Sequence, residues 1–283
     1  MQIRLVHSKI YQINGGDFMD KLLEEFKAQK RLLVEALVEK DHMQTYESSV
    51  LKNDFVLKLG EPRYELHKLE LTIARAKLKL DMMQACIKFK VPIDTDNIDR
   101  QLEKEFERHN NVLRNMKKEI ESVHNTSDGE DKKIQNMHEL KELYFSIACY
   151  IHPELVDISD KNIKRVWKAT KKAYENGDTE KLKRLQIKVQ SEFKDAVLNI
   201  DSQDIDLENT VLSMRTKRKL VVSEIESLKK QFPFTEEKML KDETAVNKFK
   251  KEIDVDIKMA SEVLDKLEKQ ILEKLPAPSK YIN

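Results

Sequence analysis

The chain has 283 residues, and its 52 basic and 51 acidic side chains leave a net charge of +1. That balance provides no global field to recruit nucleic acid or an anionic membrane. Only five Gly and six Pro occur, aromatics make up 6%, and 36% of residues are charged, which excludes a many-stranded sheet and argues for long helices and coiled coils. A hydrophobic fraction of 40% excludes a wholly disordered chain. The expected class is all-α, with long helical hairpins flanking a small helical module.

Residues 1–16 alternate briefly and end in Gly15-Gly16; they read as an N-terminal tail, because no partner strand is visible elsewhere. An N-terminal helical region is expected over 17–124. Asp17 is a plausible N-cap for a helix to about Tyr46, with Leu22, Phe26, Leu33 and Leu37 on its apolar side. Residues 47–60 read as a break, and Pro62 suits the first turn of a new helix running to Lys90. In that helix Leu66, Leu69, Ile73, Ala76, Leu80, Met83 and Ile87 alternate by three and four, the spacing of a coiled-coil seam. Val91-Pro92 ends it, Asp94-Thr95-Asp96 caps a return helix to His124, and the short turn predicts an antiparallel hairpin.

Residues 125–131, NTSDGED, read as a linker, and 132–198 as the small module. A second hairpin is expected over 199–275. One arm carries Leu207, Val211, Met214, Val221, Ile225 and Leu228; the other carries Phe249, Ile253, Ile257, Ala260, Leu264, Leu267 and Ile271. Its tip holds Phe232 and Phe234, which either plug the hairpin end or form an exposed contact point. Residues 276–283 read as a C-terminal tail. No apolar run approaches the ~18–20 residues that span a bilayer, so a soluble, cytoplasmic protein is expected. Cys86 and Cys149 are expected to be buried, reduced thiols.

The module is the most informative stretch. Leu140, Tyr144, Ile147, Ala148 and Ile151 share one helical face, and Pro153 must end that helix. Asp157, Ser159 or Asp160 can cap the next, which should bury Ile163, Val166, Trp167, Thr170 and Tyr174 and stop at Asn176-Gly177. This pattern resembles a J-domain, the module that binds and stimulates seventy-kilodalton heat-shock chaperones. Tyr144, Ile147, Ala148, His152 and Pro153 sit where the family's second helix and signature tripeptide want Tyr, Leu, Ala, His and Pro. Trp167 sits at the Phe position of its third helix, and Ala173-Tyr174 match the closing pair. The resemblance implies chaperone contact through His152, Pro153 and Glu154, with Lys141 the remaining basic residue of the second helix. Two departures bear on function. Glu154 replaces the family's Asp and is one methylene longer. Phe145, Ser146 and Tyr150 occupy positions where the family carries a basic face, whose loss should weaken encounter with an acidic partner.

No Gly-rich phosphate loop, HExxH or CxxC occurs, and the seven His are scattered. No enzyme activity, cofactor or metal is expected. Lys161, Lys164, Arg165, Lys168, Lys171 and Lys172 form the strongest local charge asymmetry, and no acid interrupts them. They read either as a solvated helix face or as a contact face for an acidic partner or a phosphate backbone. The favoured expectation is a non-enzymatic J-domain-like co-chaperone or adaptor working through protein–protein contacts. The alternatives are a coiled-coil scaffold, self-associating or with another partner, whose J-like corner is only structural, and, more weakly, nucleic-acid binding through the basic helix.

Overall fold

The computed structural model describes residues 2–126, 137–156, 160–193 and 206–275, with 2–17 described by backbone alone. Among the described residues every element is helical and no strand occurs, so the chain is all-α. In chain order the helices are α1 (Gln2–His42), α2 (Ser48–Lys88), α3 (Thr95–Glu105), α4 (Glu107–Thr126), α5 (Met137–Ile151), α6 (Lys161–Glu175), α7 (Thr179–Glu192), α8 (Leu207–Lys229), α9 (Glu237–Leu240) and α10 (Glu243–Lys274). A π turn at Met43–Glu47 separates α1 from α2, and a 3-10 turn at Phe234–Glu236 precedes α9. The chain divides into two compact units, one of Met1–Val50 with Gly129–Thr235 and one of Leu51–Asp128 with Glu236–Asn283.

In the first unit α1 serves two cores. Val34 and Val38 pack with Leu140, Tyr144, Ile147, Ile151, Val166, Trp167, Tyr174, Leu182 and Val189 of α5, α6 and α7. Phe26, Leu33 and Leu37 pack with Val211, Met214, Val221 and Ile225 of α8. The two sets are offset by one residue, about 100° around the helix, so α1 has adjacent apolar stripes facing different partners. Arg215 pairs with Glu25, and Lys40 with Glu224 at 2.9 Å; both numbers rise together, so α1 and α8 run the same way.

In the second unit α2 and its return arm run in opposite directions. Lys79 pairs with Asp99 at 2.8 Å and Arg75 with Glu103 at 3.2 Å. Further back, a Cβ on Gly60 would lie 3.2 Å from the Ile120 side chain, so glycine permits the close approach of α2 and α4. Met83, Ile98, Leu102 and Phe106 form one small core, with Ile271 of α10 against it; Phe55, Leu59, Leu240 and Val246 form another.

Several sequence expectations differ from this architecture. The tail expected over residues 1–16 is helical from Gln2 onward and continuous with α1, and Asp17 lies inside the helix rather than capping it. Each glycine of Gly15-Gly16 costs about 1 kcal/mol against Ala, yet a nucleated helix still gains one hydrogen bond per residue. The break expected at 47–60 is confined to the π turn, and α2 runs through Gly60 and Pro62. Pro62 removes one ladder hydrogen bond, but Phe55 and Leu59 hold that stretch against Leu240 and Val246. The seam of α2 is buried only at Leu80 and Met83, and Ile87 near the helix end is exposed. The second hairpin does not close on itself: α8 lies beside α1, and α10 belongs to the other unit. Residues 127–131 of the linker, 199–205 and the 276–283 tail lie outside the described residues, as do the alternative caps Asp157 and Ser159. Asp160 caps α6, accepting from the Asn162 N–H.

Two helix ends share one geometry. After α6, Gly177 takes a φ of 68°; its N–H donates to Tyr174 O at 3.0 Å and the Asp178 N–H donates to Ala173 O at 2.9 Å. After α2 the same pair of bonds runs from Lys90 to Ile87 and from Val91 to Cys86, and Lys90 has a φ of 56° without being glycine.

Candidate functional site

The corner between α5 and α6 is built largely by its own backbone. The His152 carbonyl accepts from the N–H groups of Leu155 at 2.9 Å and Val156 at 3.2 Å. The Glu154 N–H donates to His152 Nδ1 at 3.1 Å, which makes that nitrogen an acceptor and leaves Nε2 to face inward. The imidazole stands edge-on to Trp167, with ring centroids 4.8 Å apart. From α8, Lys217 Nζ donates to the Glu154 carbonyl at 3.1 Å.

His152 is only 5% exposed, and its inward nitrogen meets an acid from α1. Nε2 lies 3.6 Å from Asp41 Oδ2, an electrostatic contact longer than a hydrogen bond. The same oxygen accepts the Tyr144 hydroxyl at 2.6 Å, and Lys171 Nζ approaches the other oxygen at 3.8 Å. Burial pushes the Asp41 carboxyl up, but His152, Tyr144 and Lys171 outweigh it and hold the group below its ordinary value. Burial and then Asp41 push the Tyr144 phenol far above the usual range. Beside it Tyr144 stacks on Tyr174 at 4.4 Å, Tyr174 shares a 2.6 Å hydrogen bond with His42 Nδ1, and His42 Nε2 meets Glu47 at 3.1 Å. Burial followed by nearby Glu47, Glu39 and Asp41 raises the Tyr174 phenol as well. The result is a polar cluster, buried at Asp41, His42, Tyr144, His152 and Tyr174, that fixes the corner against α1.

The residues singled out from sequence fall into three groups. His152 is turned inward, Pro153 is half-buried and Glu154 is exposed. Lys141 is half-buried and pairs with Glu39 at 3.6 Å. Around it, Phe145 and Tyr150 pack against the core, and Ser146 Oγ accepts from Gln186 Nε2 at 2.7 Å while donating to Leu143 O at 2.8 Å. Phe145, Ser146 and Tyr150 are therefore used for packing and hydrogen bonding within the chain.

The basic run of α6 divides. Lys164, Lys168, Lys171 and Lys172 line a groove of about 590 Å³ with Pro153, Trp167, Glu175 and Asn176. Lys161 and Arg165 lie outside it, and Arg165 donates to the Asn162 side chain at 3.5 Å. At the other predicted contact point, Phe234 packs half-buried against the α1–α8 core while Phe232 is 52% exposed. Both cysteines are free, and each is half-buried rather than fully buried.

Asp41, His42 and Lys217 were not candidates from sequence. Asp41 follows Val38 by three residues and Leu37 by four, so an acid continues the buried face of α1; that mismatch was the available signal. Among the described residues no group of three or more His, Cys, Asp and Glu is placed to hold a metal ion, and no helix is long and apolar enough to cross a membrane. No protein-family model, curated protein or solved structure matches the chain.

Proposed function

We propose that this chain is a non-enzymatic adaptor working through protein–protein contacts, and that residues 132–198 act as a degenerate J-domain-like module. One observation carries this reading: a helix–His-Pro-Glu–helix corner whose histidine braces the turn from inside while Pro153 and the Glu154 carboxylate face outward. On this reading a seventy-kilodalton heat-shock chaperone meets Pro153 and Glu154, and His152 acts by positioning them. The missing basic face on α5 makes the encounter slow and only weakly dependent on salt.

The test is single-turnover ATP hydrolysis by a chaperone from the same cell, with and without the full chain. Stimulation that is lost in Glu154→Ala and kept in Glu154→Asp supports the reading. His152→Gln alone is a poor probe, since it also disturbs the buried contact with Asp41. Unchanged turnover at saturating protein ends the chaperone assignment.

A second reading has its own observation. Lys141 is engaged by Glu39, and His152 lies 3.6 Å from Asp41. Both side chains are thus held by the chain's own first helix, which favours a coiled-coil scaffold whose J-like corner is a fold element. Its test is to release the corner: if Asp41→Asn leaves partner binding unchanged in a chain that still folds, the corner is structural.

A further inference from the structure

We propose that the lysine groove on α6 binds an acidic, extended peptide segment of a partner protein. This rests on the adaptor reading above, but not on the chaperone assignment.

Most of the positive charge of the groove has no ion-pair partner among the described residues. Lys164, Lys168 and Lys172 form no ion pair among the described residues, and Lys171 reaches only the buried Asp41 at 3.8 Å. Two other lysines of the module are answered: Lys183 pairs with Glu139 at 3.0 Å and with Glu180 at 3.3 Å, and Lys188 meets Glu192 at 3.6 Å. Lysines four apart on one helix face repel one another. The pairs Lys164–Lys168 and Lys168–Lys172 therefore work against the helix that carries them. An acidic occupant would reverse the sign of both pairs.

The groove also has an apolar floor. Pro153 and Trp167 line it, and the His152 ring stands against Trp167 with centroids 4.8 Å apart. Such a floor fits an aliphatic side chain between acidic neighbours. From Lys164 to Asn176 the helix rises about 18 Å at ~1.5 Å per residue, the length of about five or six residues of extended peptide at ~3.3 Å each. Glu175, at one end, sets polarity by repelling acids there. Single-stranded nucleic acid fits less well, because it needs exposed rings on which to stack. The one ring in the groove is only 8% exposed.

Trp167 is the only tryptophan in the chain, so its emission reports on the groove directly. The experiment titrates the full chain with a blocked hexapeptide rich in Glu and Asp with one central Leu. A saturable change in emission is expected, with affinity falling at least about tenfold between about 0.05 M and about 0.5 M salt. Lys168→Glu with Lys172→Glu should cost about tenfold or more in affinity, whereas Lys161→Glu, off the groove, should cost less than about threefold. All three sites are exposed, and far-ultraviolet circular dichroism confirms that the variants fold. An unchanged emission at saturating peptide overturns the proposal. So does an equal loss from Lys161→Glu and Lys168→Glu, which would mark diffuse attraction, or a single-stranded oligonucleotide that binds more tightly than the peptide. The ATPase assay contains no peptide and reads the corner alone, so the two proposals can fail separately.

Discussion

Helices α5 and α6 flank the same corner, yet they treat their outward positions in opposite ways. On α5 each one is committed within the chain: Lys141 to Glu39, Ser146 to Gln186 and Leu143, Phe145 and Tyr150 to the core. On α6 the lysines at 164, 168 and 172 are committed to nothing among the described residues, and they repel one another. A side chain that stabilises the fold has its partner in the chain. A cluster that costs the fold something and has no internal partner is the better marker of an external one.

The comparison can be broken most severely from within. Asp41→Ala should destabilise the first unit by about 2–4 kcal/mol, since it leaves the Tyr144 hydroxyl buried without its acceptor and His152 and Lys171 without their counter-charge. A urea titration measures it. The same carboxylate predicts a pH dependence. Its folded pKa is lowered relative to an unfolded value near ~4, so the stability it contributes is complete above about pH 4 and is lost as pH falls through the lower folded value. In Asp41→Asn that part of the acid limb should flatten.

Smaller changes sharpen the contrast. Gly177→Ala places a side chain at a φ of 68° and should cost about 1–2 kcal/mol at the turn that ends α6. Lys90→Gly, at the matching turn after α2, should instead gain about 0.5–1 kcal/mol, visible as a higher melting temperature. Ser146→Ala should cost about 1 kcal/mol by removing the tie from α5 to α7. Lys164→Gln and Lys168→Gln should change stability by less than about 0.5 kcal/mol, with a slight gain favoured by the relief of repulsion. A loss above about 1 kcal/mol would show that these lysines belong to the fold after all.

Much of this was legible in the sequence. Periodicity placed Tyr144, Ile147, Trp167 and Tyr174 inward, Pro153 marked the end of α5, and Asn176-Gly177 marked the end of α6. Periodicity states which face is apolar but not what covers it. The stripe of α8 was read correctly as Val211, Met214, Val221 and Ile225, while its partner proved to be α1 rather than α10. The polar cluster was hidden for a related reason. Tyr144 and Asp41 lie 103 residues apart, and no local rule connects them. Pro62 misled because its local cost is outweighed by the packing of Phe55 and Leu59 just before it, which a breaker rule cannot register.

The parallel pairing of α1 with α8 has a consequence for how the protein is made. Lys40 and Glu224, which clasp the two helices, are separated by 184 residues of chain. During synthesis Phe26, Leu33 and Leu37 emerge early and wait for α8 while most of the protein is still being translated. For that interval the first helix presents a bare oily strip to the ribosome exit and its surroundings, and the half of its surface that faces α5 can be covered first. Nascent-chain capture by a holdase should therefore peak at intermediate lengths and fall once residue 229 has cleared the exit tunnel.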